Sequence, residues 1–278
     1  VEASAGQRLS FEIEGARLGR TMLDPVLVLR DAAGKVVAKS DDTPLLGHDA
    51  FISVVAPAAG AYTLQLRDAV YSGNGHVYRL HIGDFARPGV TFPLGGQAGS
   101  ELAVRFIGDP AGERERTLRL PAEPVERFAA VPEADRPPPA PNQLRVSTFP
   151  NVPPLEPGRS REKAARIDQP APFAVNGIIA SREQPAHYRF SARKDQHLEF
   201  QVIARRLGSP LDPVVTVLGP KGNTLGSNDD AAGHPDSSLR VRFTEDGKYV
   251  VRVADQLGRG GPLHVFRLRS EEHTSELQ

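Results

Sequence analysis

Apolar and polar residues alternate with a period of two along most of this chain, which is the pattern of half-buried β-strands. Residues 9–13 show this alternation clearly, and residues 198–202 repeat it in the second half of the chain. Neither region shows the three-to-four-residue period of an amphipathic helix. The pattern therefore predicts an all-β protein built from tandem antiparallel β-sandwiches of jelly-roll or Ig-like type.

One set of strand and turn signals occurs twice. Residues 23–42 read LDPVLVLRDAAGKVVAKSDD, and residues 211–230 read LDPVVTVLGPKGNTLGSNDD. In each copy the Pro favours an extended residue before it and opens a strand, and a Gly-containing turn leads to the next strand, as in a hairpin. Both copies also close alike, with HVYRL at 76–80 and HVFRL at 264–268. This self-similarity indicates a duplicated structural unit with one strand order.

The second copy is the more complete of the two. Ahead of its repeat it carries two further strand-like stretches, PFAVNGIIA at 172–180 and AHYRF at 186–190. The first copy has no room for them, because Val1 aligns at about Phe190. We therefore expect its sandwich to lack an edge or central strand. For the second copy we predict that one core receives Phe200, Val214, Val217, Tyr249, Val251 and Phe266.

The sequence divides into consecutive segments. We predict a truncated sandwich at residues 1–84, an Ig-like module with a stiff proline-rich excursion at 85–148, a linker at 149–170 and a complete sandwich at 171–268. The last ten residues, RSEEHTSELQ at 269–278, resemble the in-frame translation of a sequencing-library adapter. We interpret them as a non-native tail that packs against nothing. Because the sequence starts within a strand pattern and without Met, we interpret the chain as a fragment of a longer protein.

Composition argues against several classes of function. Lys plus Arg and Asp plus Glu number 34 each, and this neutral chain without a basic block is not expected to bind nucleic acid. The absence of Cys excludes disulfides, thiol catalysis and thiolate metal sites. Apolar runs are too short for insertion into a membrane. Zinc-binding His pairs, a Gly-x-Ser-x-Gly elbow and a phosphate-binding Gly-rich loop are also missing, so the sequence indicates no enzyme.

Acidic residues gather at corresponding corners of the two copies. Carboxylates brought together there would suit Ca²⁺, a hard cation that takes about six to eight oxygen ligands. The alternative is that they are turn residues whose carboxylates accept backbone N–H bonds. Their spacing favours the turn reading, because it misses the alternating acidic loop of a dedicated calcium site. The calcium candidates are Asp24, Asp41, Asp42 and Asp49 in the first copy and Asp212, Asp229, Asp230 and Asp236 in the second.

Arginines occupy the loop before each LDP. Arg17 and Arg20 lie there in the first copy, and Arg205 and Arg206 lie there in the second. Loops on a rigid sandwich often carry binding residues, so these arginines are candidates for a binding face, with a solvated loop as the alternative.

The duplicated unit resembles the bacterial pre-peptidase C-terminal (PPC) domain. The stretches that carry the resemblance are the two LDP segments and the closing HVYRL and HVFRL, together with GQRLSFEI, DQHLEFQV, GAYTLQLRD and GKYVVRVAD. The middle segment, with FPLGG and ELAVRFIGD, is similar to an immunoglobulin-like IPT/TIG module. The resemblance implies a fold of tandem sandwiches without catalytic machinery of its own.

The same resemblance implies a role outside the cytoplasm. Such domains are accessory, spacer or adhesion modules of larger exported bacterial proteins, often attached to secreted peptidases, so the expected partners are other domains of the parent chain or an extracellular polymer or protein. The alternative is a polysaccharide- or protein-binding module with calcium as a structural aid; no other cofactor is expected. Calcium-binding relatives use a Glu-Pro-Asn-Asp linker and a Gly-Asp-x-Asp turn. At the corresponding positions here only Glu156 and Glu183 remain.

Overall fold

A computed structural model describes residues 1–20, 22–71, 75–231 and 233–272, and this part of the chain is built almost entirely from β-strands. The predicted all-β class is therefore confirmed. Two single-turn 3₁₀ helices interrupt the strands, at Ala16–Leu18 and Arg205–Leu207. No helix among the described residues is long and apolar enough to cross a membrane.

The strands follow one another along the chain in three groups. The first group comprises β1 (Glu2–Ala3), β2 (Arg8–Glu14), β3 (Pro25–Arg30), β4 (Val36–Ser40), β5 (Phe51–Val55), β6 (Gly60–Ala61), β7 (Thr63–Asp68) and β8 (Arg79–Gly83). The second comprises β9 (Val90–Phe92), β10 (Gly95–Gln97), β11 (Glu101–Ile107), β12 (Arg114–Arg119), β13 (Val125–Ala130) and β14 (Asn142–Ser147). The third comprises β15 (Ala165–Arg166), β16 (Phe173–Ile178), β17 (Ala186–Ala192), β18 (His197–Ile203), β19 (Pro213–Leu218), β20 (Thr224–Asn228), β21 (Ser238–Arg242), β22 (Gly247–Asp255) and β23 (Val265–Glu272).

The chain divides into two compact units. The first contains Val1–Gly89, Phe106–Glu115 and Ala130–Asn142, and the second contains Val90–Arg105, Arg116–Ala129 and the chain from Gln143 onward. The middle segment forms two three-stranded sheets, ordered β10-β14-β13 and β12-β11-β9. Its residues are shared between the two units, whereas the sequence predicted a separate module over residues 85–148.

The third group of strands forms what we call the second sandwich. Its two sheets are ordered β15-β17-β22-β19-β20 and β16-β23-β18-β21, and both contribute to one hydrophobic core. Aromatic rings lie at its centre, with ring centroids 5.1 Å apart for Phe190 and Phe200 and 4.5 Å apart for Phe243 and Tyr249. This geometry is typical of tilted and edge-to-face ring pairs.

The predicted core of the second sandwich is correct except at Val214. The other five predicted residues all belong to the observed core. On β19 the buried valines are Val215 and Val217, each 0% exposed, while Val214 is half-buried on the opposite face. Successive side chains of a strand point to opposite faces, so the residue that shares the buried face with Val217 is Val215 and not Val214.

The first group of strands forms the first sandwich, whose sheets are ordered β5-β2-β8 and β4-β3-β7, with a short β1-β6 pair. This order matches β21-β18-β23 and β20-β19-β22 of the second sandwich, as the repeat predicts. The register also matches, since Phe11 pairs with Ile82 where Phe200 pairs with Ser270. Among the described residues, no strand takes the place of β16 beside β8.

The segment predicted as a linker, residues 149–170, packs on the second sandwich. The backbone N–H of Val152 donates to the Ala174 carbonyl at 2.8 Å, and β15 pairs in parallel with β17. Val152 and Leu155 also contact the hydrophobic core. The many prolines of this segment favoured the prediction of a linker. A two-residue edge strand such as β15 shows no apolar alternation, so the sequence pattern did not reveal it.

The prediction that residues 269–278 pack against nothing is wrong for residues 269–272. Strand β23 continues to Glu272, and Ser270, which is 0% exposed, pairs with both Phe173 and Phe200. Residues 273–278 lie outside the described residues. The sequence did not reveal the end of this strand, because its side chains are small or charged and show no apolar alternation. The backbone hydrogen bonds that extend β23 do not require apolar side chains.

Candidate functional site

Asp49 organises the first 3₁₀ turn. Its Oδ1 accepts hydrogen bonds from the backbone N–H groups of Gly15 at 2.9 Å and Ala16 at 2.8 Å. Its Oδ2 accepts the backbone N–H of Arg17 at 3.2 Å and the Nε–H of the same residue at 2.6 Å. The carboxylate is completely buried, so the turn and its arginine already use both oxygens. Asp49 therefore does not fit a calcium ligand.

Asp236 repeats this arrangement in the second sandwich. Its Oδ1 accepts the backbone N–H groups of Ala204 at 3.1 Å and Arg205 at 2.8 Å, and its Oδ2 accepts the Nε–H of Arg206 at 2.7 Å. The carboxylate is again fully buried. Two of the loop arginines considered for a binding face, Arg17 and Arg206, thus hold buried carboxylates inside their own sandwiches.

Two further calcium candidates of the second sandwich, Asp212 and Asp229, are also engaged locally. Asp212 forms an ion pair with Arg205, with Nη1 and Oδ1 3.3 Å apart. Asp229 accepts the backbone N–H of Asp230 at 3.0 Å, and its other oxygen accepts the side-chain amide of Gln256 at 3.4 Å. These contacts fit turn residues better than calcium ligands.

The corresponding corner of the first sandwich is different. Asp24, Asp42 and His48 each offer one ligand atom, and these atoms lie within 4.8 Å of one another. His48 Nδ1 is 3.2 Å from Asp42 Oδ1. Asp24 is half-buried, and its Oδ1 is a buried atom that has no hydrogen-bond partner among the described residues. We call this group the Asp-His corner.

Negative charge accumulates at the Asp-His corner. Burial raises the pKa of Asp24, and the nearby carboxylates of Asp42 and Asp41 raise it further. In the second sandwich Arg205 neutralises the equivalent Asp212, but Ala16 takes that place in the first sandwich. A bound cation would relieve this repulsion at the first corner alone.

The donor set of the Asp-His corner decides which cation it fits. Its two carboxylates suit Ca²⁺, but water would have to supply most of the about six to eight oxygens that this ion needs. The imidazole is a better ligand for a borderline ion such as Zn²⁺. Of the predicted calcium candidates, only Asp24 and Asp42 belong to this group. The acidic pattern missed His48, although GHD places this residue directly before the buried Asp49.

Glu156 and Glu183 do not form a comparable site. Within the described residues, neither belongs to a three-ligand group of His or acidic side chains. Glu183 has a positive φ of 56° in an exposed turn, where its carboxylate lies 3.8 Å from the Arg182 guanidinium. The calcium positions of the relatives are therefore not reassembled here.

Three acidic residues line a surface depression of about 540 Å³ on the second sandwich; they are Asp168, Asp195 and Glu272. Asp168 is paired with Arg166, and Asp195 is 2.8 Å from the Arg242 guanidinium. The hydrogen bond from Arg242 lowers the pKa of Asp195, and both carboxylates are largely exposed. A general acid needs a raised pKa, so this pair does not resemble a catalytic dyad.

Comparison with known families then adds an independent observation. Residues 186–255 match the model of the bacterial pre-peptidase C-terminal domain. The match runs from the first residue of β17 to the last residue of β22, and it covers the corner that holds Asp212, Asp229 and Asp236. No curated protein sequence matches the chain.

Solved structures of low identity also resemble the PPC-matching chain. The periplasmic inhibitor of g-type lysozyme from Aeromonas hydrophila, PliG, is 16% identical, with 39% of this chain and 94% of that chain covered and a TM-score of 0.31. The pre-peptidase C-terminal domain of a Bacillus anthracis collagenase is 14% identical, with 38% and 92% covered and a TM-score of 0.29. A Clostridium perfringens ZmpB structure with M60 catalytic and CBM51 domains is 10% identical, with 98% and 33% covered and a TM-score of 0.25.

Proposed function

We propose that this chain supplies non-catalytic accessory modules to a larger exported bacterial protein, acting outside the cytoplasm as spacer or adhesion units. The observation that carries the proposal is the PPC match over residues 186–255, a domain family named for its association with peptidases. A secreted peptidase is accordingly the expected neighbour in the parent chain.

The chemistry of the buried polar groups supports a structural role. Asp49 and Asp236 are committed to loop backbones and arginines, and the exposed Asp168 and Asp195 are paired with arginines. Such groups stabilise loops and do not supply an acid, a base or a nucleophile.

The proposal is tested with the purified 278-residue chain. Incubation with casein and gelatin should give no hydrolysis, because Asp168 and Asp195 in the surface depression are exposed and paired with arginines. Sedimentation with insoluble collagen and with peptidoglycan distinguishes an adhesion unit, which pellets with one of them, from a spacer, which stays in solution. Hydrolysis that scales with the concentration of the purified chain would overturn the proposal.

Export is tested separately. With a bacterial signal peptide attached, the chain should accumulate in the periplasm in a protease-resistant form. It contains no Cys, so its folding does not depend on the redox state of the compartment. Degradation in the periplasm together with stable accumulation in the cytoplasm would contradict an extracytoplasmic role.

A second candidate function is a polysaccharide- or protein-binding module whose loops are stabilised by a divalent cation. The Asp-His corner favours it, because Asp24, Asp42 and His48 converge there and, among the described residues, no ion pair joins Asp24 or Asp42 to an arginine. A cation that binds only the native state raises the melting temperature by mass action. We expect such a rise, relative to EDTA, in millimolar Ca²⁺ or in micromolar Zn²⁺.

Matched variants locate the cation. Asp42→Asn and Ala16→Arg, which copies the arginine of the second sandwich, should both abolish the rise. Asp230→Asn, at the equivalent position of the second sandwich, should leave it intact. An unchanged melting temperature in the wild-type chain, or loss of the rise in Asp230→Asn, would exclude the Asp-His corner as the site.

A further inference from the structure

Arg267 is a fully buried cation on the second sandwich, and no carboxylate among the described residues is paired with it. Its side chain lies on the face of β23 that points away from the hydrophobic core. The guanidinium donates to three neutral oxygens, which are the Gly95 carbonyl at 3.0 Å, Asn151 Oδ1 at 2.8 Å and Ser147 Oγ at 3.2 Å. A buried charge without an opposite charge beside it is strongly unfavourable.

Two further arginines lie beside Arg267. Arg269 follows it on the same face of β23, because alternate residues of a strand share a face. Arg145 is the strand partner of Gly95, and paired residues also share a face. A Cβ added at Gly95 would lie 2.9 Å from Arg267 Cδ, so this face meets Arg267. Burial and the positive charges of Arg269 and Arg145 lower the pKa of Arg267 to about 9.

Each of these three arginines keeps an unused donor. The Nε atoms of Arg145, Arg267 and Arg269 are buried and have no hydrogen-bond partner among the described residues. Glu126 pairs with Arg145 and Glu271 pairs with Arg269, but both carboxylates contact a terminal nitrogen only. A buried N–H without an acceptor is destabilising, so this group, which we call the arginine cluster, lacks acceptor oxygens.

The first sandwich has a carboxylate at the corresponding place. Arg79 and His81 take the positions of Arg267 and Arg269, because HVYRL aligns with HVFRL. One oxygen of Glu14 is 3.4 Å from Arg79 Nη1, and its other oxygen is 3.3 Å from His81 Nε2. Glu14 lies opposite Arg79 in the strand pairing and thus serves both side chains from the neighbouring strand.

The second sandwich lacks this carboxylate. Ile203 lies opposite Arg267, and it takes the place of Glu14. Gln201, the preceding residue on the same face of β18, takes the place of Glu12. An aliphatic side chain and a neutral amide do not neutralise guanidinium groups. The strand that supplies the anion in the first sandwich therefore supplies none to the arginine cluster.

We propose that the arginine cluster binds a small oxyanion, a phosphate or sulfate that supplies the negative charge which Glu14 supplies in the first sandwich. Guanidinium groups bind such anions through several N–H donors at once, and a tetrahedral oxyanion offers enough oxygens for three arginines. Arg145 and Arg269 are 17% and 15% exposed, whereas Arg267 is 0% exposed. The anion therefore reaches Arg267 past the two outer arginines, and this narrow access favours a small group.

Calorimetric titration of the purified chain tests the site. Sodium phosphate and sodium sulfate, added at constant ionic strength, should each bind saturably with one ion per chain, whereas sodium chloride should not. Glucose 6-phosphate distinguishes two sources of the anion. Binding as tight as that of inorganic phosphate indicates the terminal group of a larger ligand, and weaker binding indicates a free ion. Absence of saturable binding by both phosphate and sulfate would overturn the proposal.

Matched variants locate the anion. Arg269→Gln should weaken binding by about tenfold or more, because charge-assisted hydrogen bonds are lost. Ile203→Glu copies Glu14 of the first sandwich and should abolish binding, since its carboxylate replaces the anion. Arg242→Gln removes an exposed arginine of the same sandwich and should leave the affinity unchanged.

Circular dichroism establishes that each variant is folded. If Ile203→Glu does not fold, Arg145→Gln takes its place and should weaken binding as Arg269→Gln does. An affinity that is unchanged in the variants of the arginine cluster would overturn the proposal. Equal losses in these variants and in Arg242→Gln would also overturn it, because the anion would then respond only to the overall charge of the chain.

Discussion

Buried carboxylates that hold the turns are the residues on which stability should depend most strongly. Replacing Asp236 by Ala leaves two backbone N–H groups and the Arg206 guanidinium without their acceptor inside the protein. Breaking a buried charged pair in this way costs about 3 to 5 kcal/mol. The free energy of unfolding in urea should fall accordingly for Asp236→Ala. The exposed-turn control Asp230→Ala should change it by less than about 0.5 kcal/mol, and equal losses for the two variants would contradict this assignment.

Asp255 should make the second sandwich sensitive to acid. Burial by itself would raise its pKa, but hydrogen bonds from the Arg259 side chain and from backbone N–H groups lower the pKa to about 2. A depressed pKa contributes stability above the ordinary value of 3.8, and this stability is lost as the pH falls toward 2. The contribution is about 2 kcal/mol.

Denaturation in urea at several pH values checks the role of Asp255. Between pH 5 and pH 2 the stability of Asp255→Asn should fall less than that of the wild-type chain. Parallel curves for wild type and Asp255→Asn would show that another group governs the acid sensitivity.

At the residue scale, the sequence predicted which face of a strand is buried better than it predicted the role of each acidic side chain. Alternation placed Phe200 and Tyr249 in the core, but it could not distinguish the buried Asp236 from the exposed Asp230. That distinction depends on which backbone N–H groups the fold brings to each carboxylate. The repeat contained a signal for these buried carboxylates. Asp49 pairs with Arg17 and Asp236 pairs with Arg206, and each arginine lies in the loop before the LDP segment of its copy.

Strand β18 should tolerate little change on its inner face. Phe200 is 0% exposed and its ring lies 5.1 Å from that of Phe190. Truncating a buried Phe to Ala costs about 3 to 5 kcal/mol through lost contacts and a cavity. We expect this loss for Phe200→Ala in denaturant melts and less than about 0.5 kcal/mol for Ile82→Ala, because the Ile82 side chain is 53% exposed. A small loss for Phe200→Ala would show that β18 does not face the core.

The end of β23 should contribute to stability although its sequence is polar. Residues 269–272 pair with β18, and Arg269 and Ser270 also pair with β16. A chain that ends at Leu268 loses these hydrogen bonds, each worth about 0.5 to 1.5 kcal/mol net, and exposes part of the core. Its melting temperature should therefore be several degrees lower, as measured by circular dichroism. An unchanged melting temperature would support the tail interpretation that the structure contradicts for these residues.

At the element scale, alternation located the central strands and missed the peripheral ones. β2 and β18 each have an inward face of large apolar residues, so the period of two is visible. β15 is two residues long, and the end of β23 places Ser270 on the inward face. Such segments are defined by their neighbours, whose positions a single sequence does not reveal.

For the molecule as a whole, the repeat predicted two sandwiches of one strand order, and the two stretches ahead of the second copy predicted that the second sandwich is the more complete one. The second sandwich has both β16 and β17, whereas the described part of the first has only Val1–Ala3 in the place of β17. The two also differ at one corner, where Ala16 takes the place of Arg205 and Asp24 lies in a group with Asp42 and His48. Duplication thus preserved the framework, and the difference at Ala16 falls in a loop, where substitutions disturb packing least.

The two sandwiches should unfold as distinct transitions in calorimetry, because each has its own hydrophobic core. The first should melt at the lower temperature, since Tyr78 and Ile82 are about half exposed to water whereas the equivalent Phe266 and Ser270 are fully buried. Phe11→Ala and Phe200→Ala, which occupy equivalent core positions, assign the transitions. Phe11→Ala should shift only the lower transition, and Phe200→Ala only the upper one. A single transition that both variants lower equally would mean that the units unfold together, because two-state unfolding allows only one midpoint.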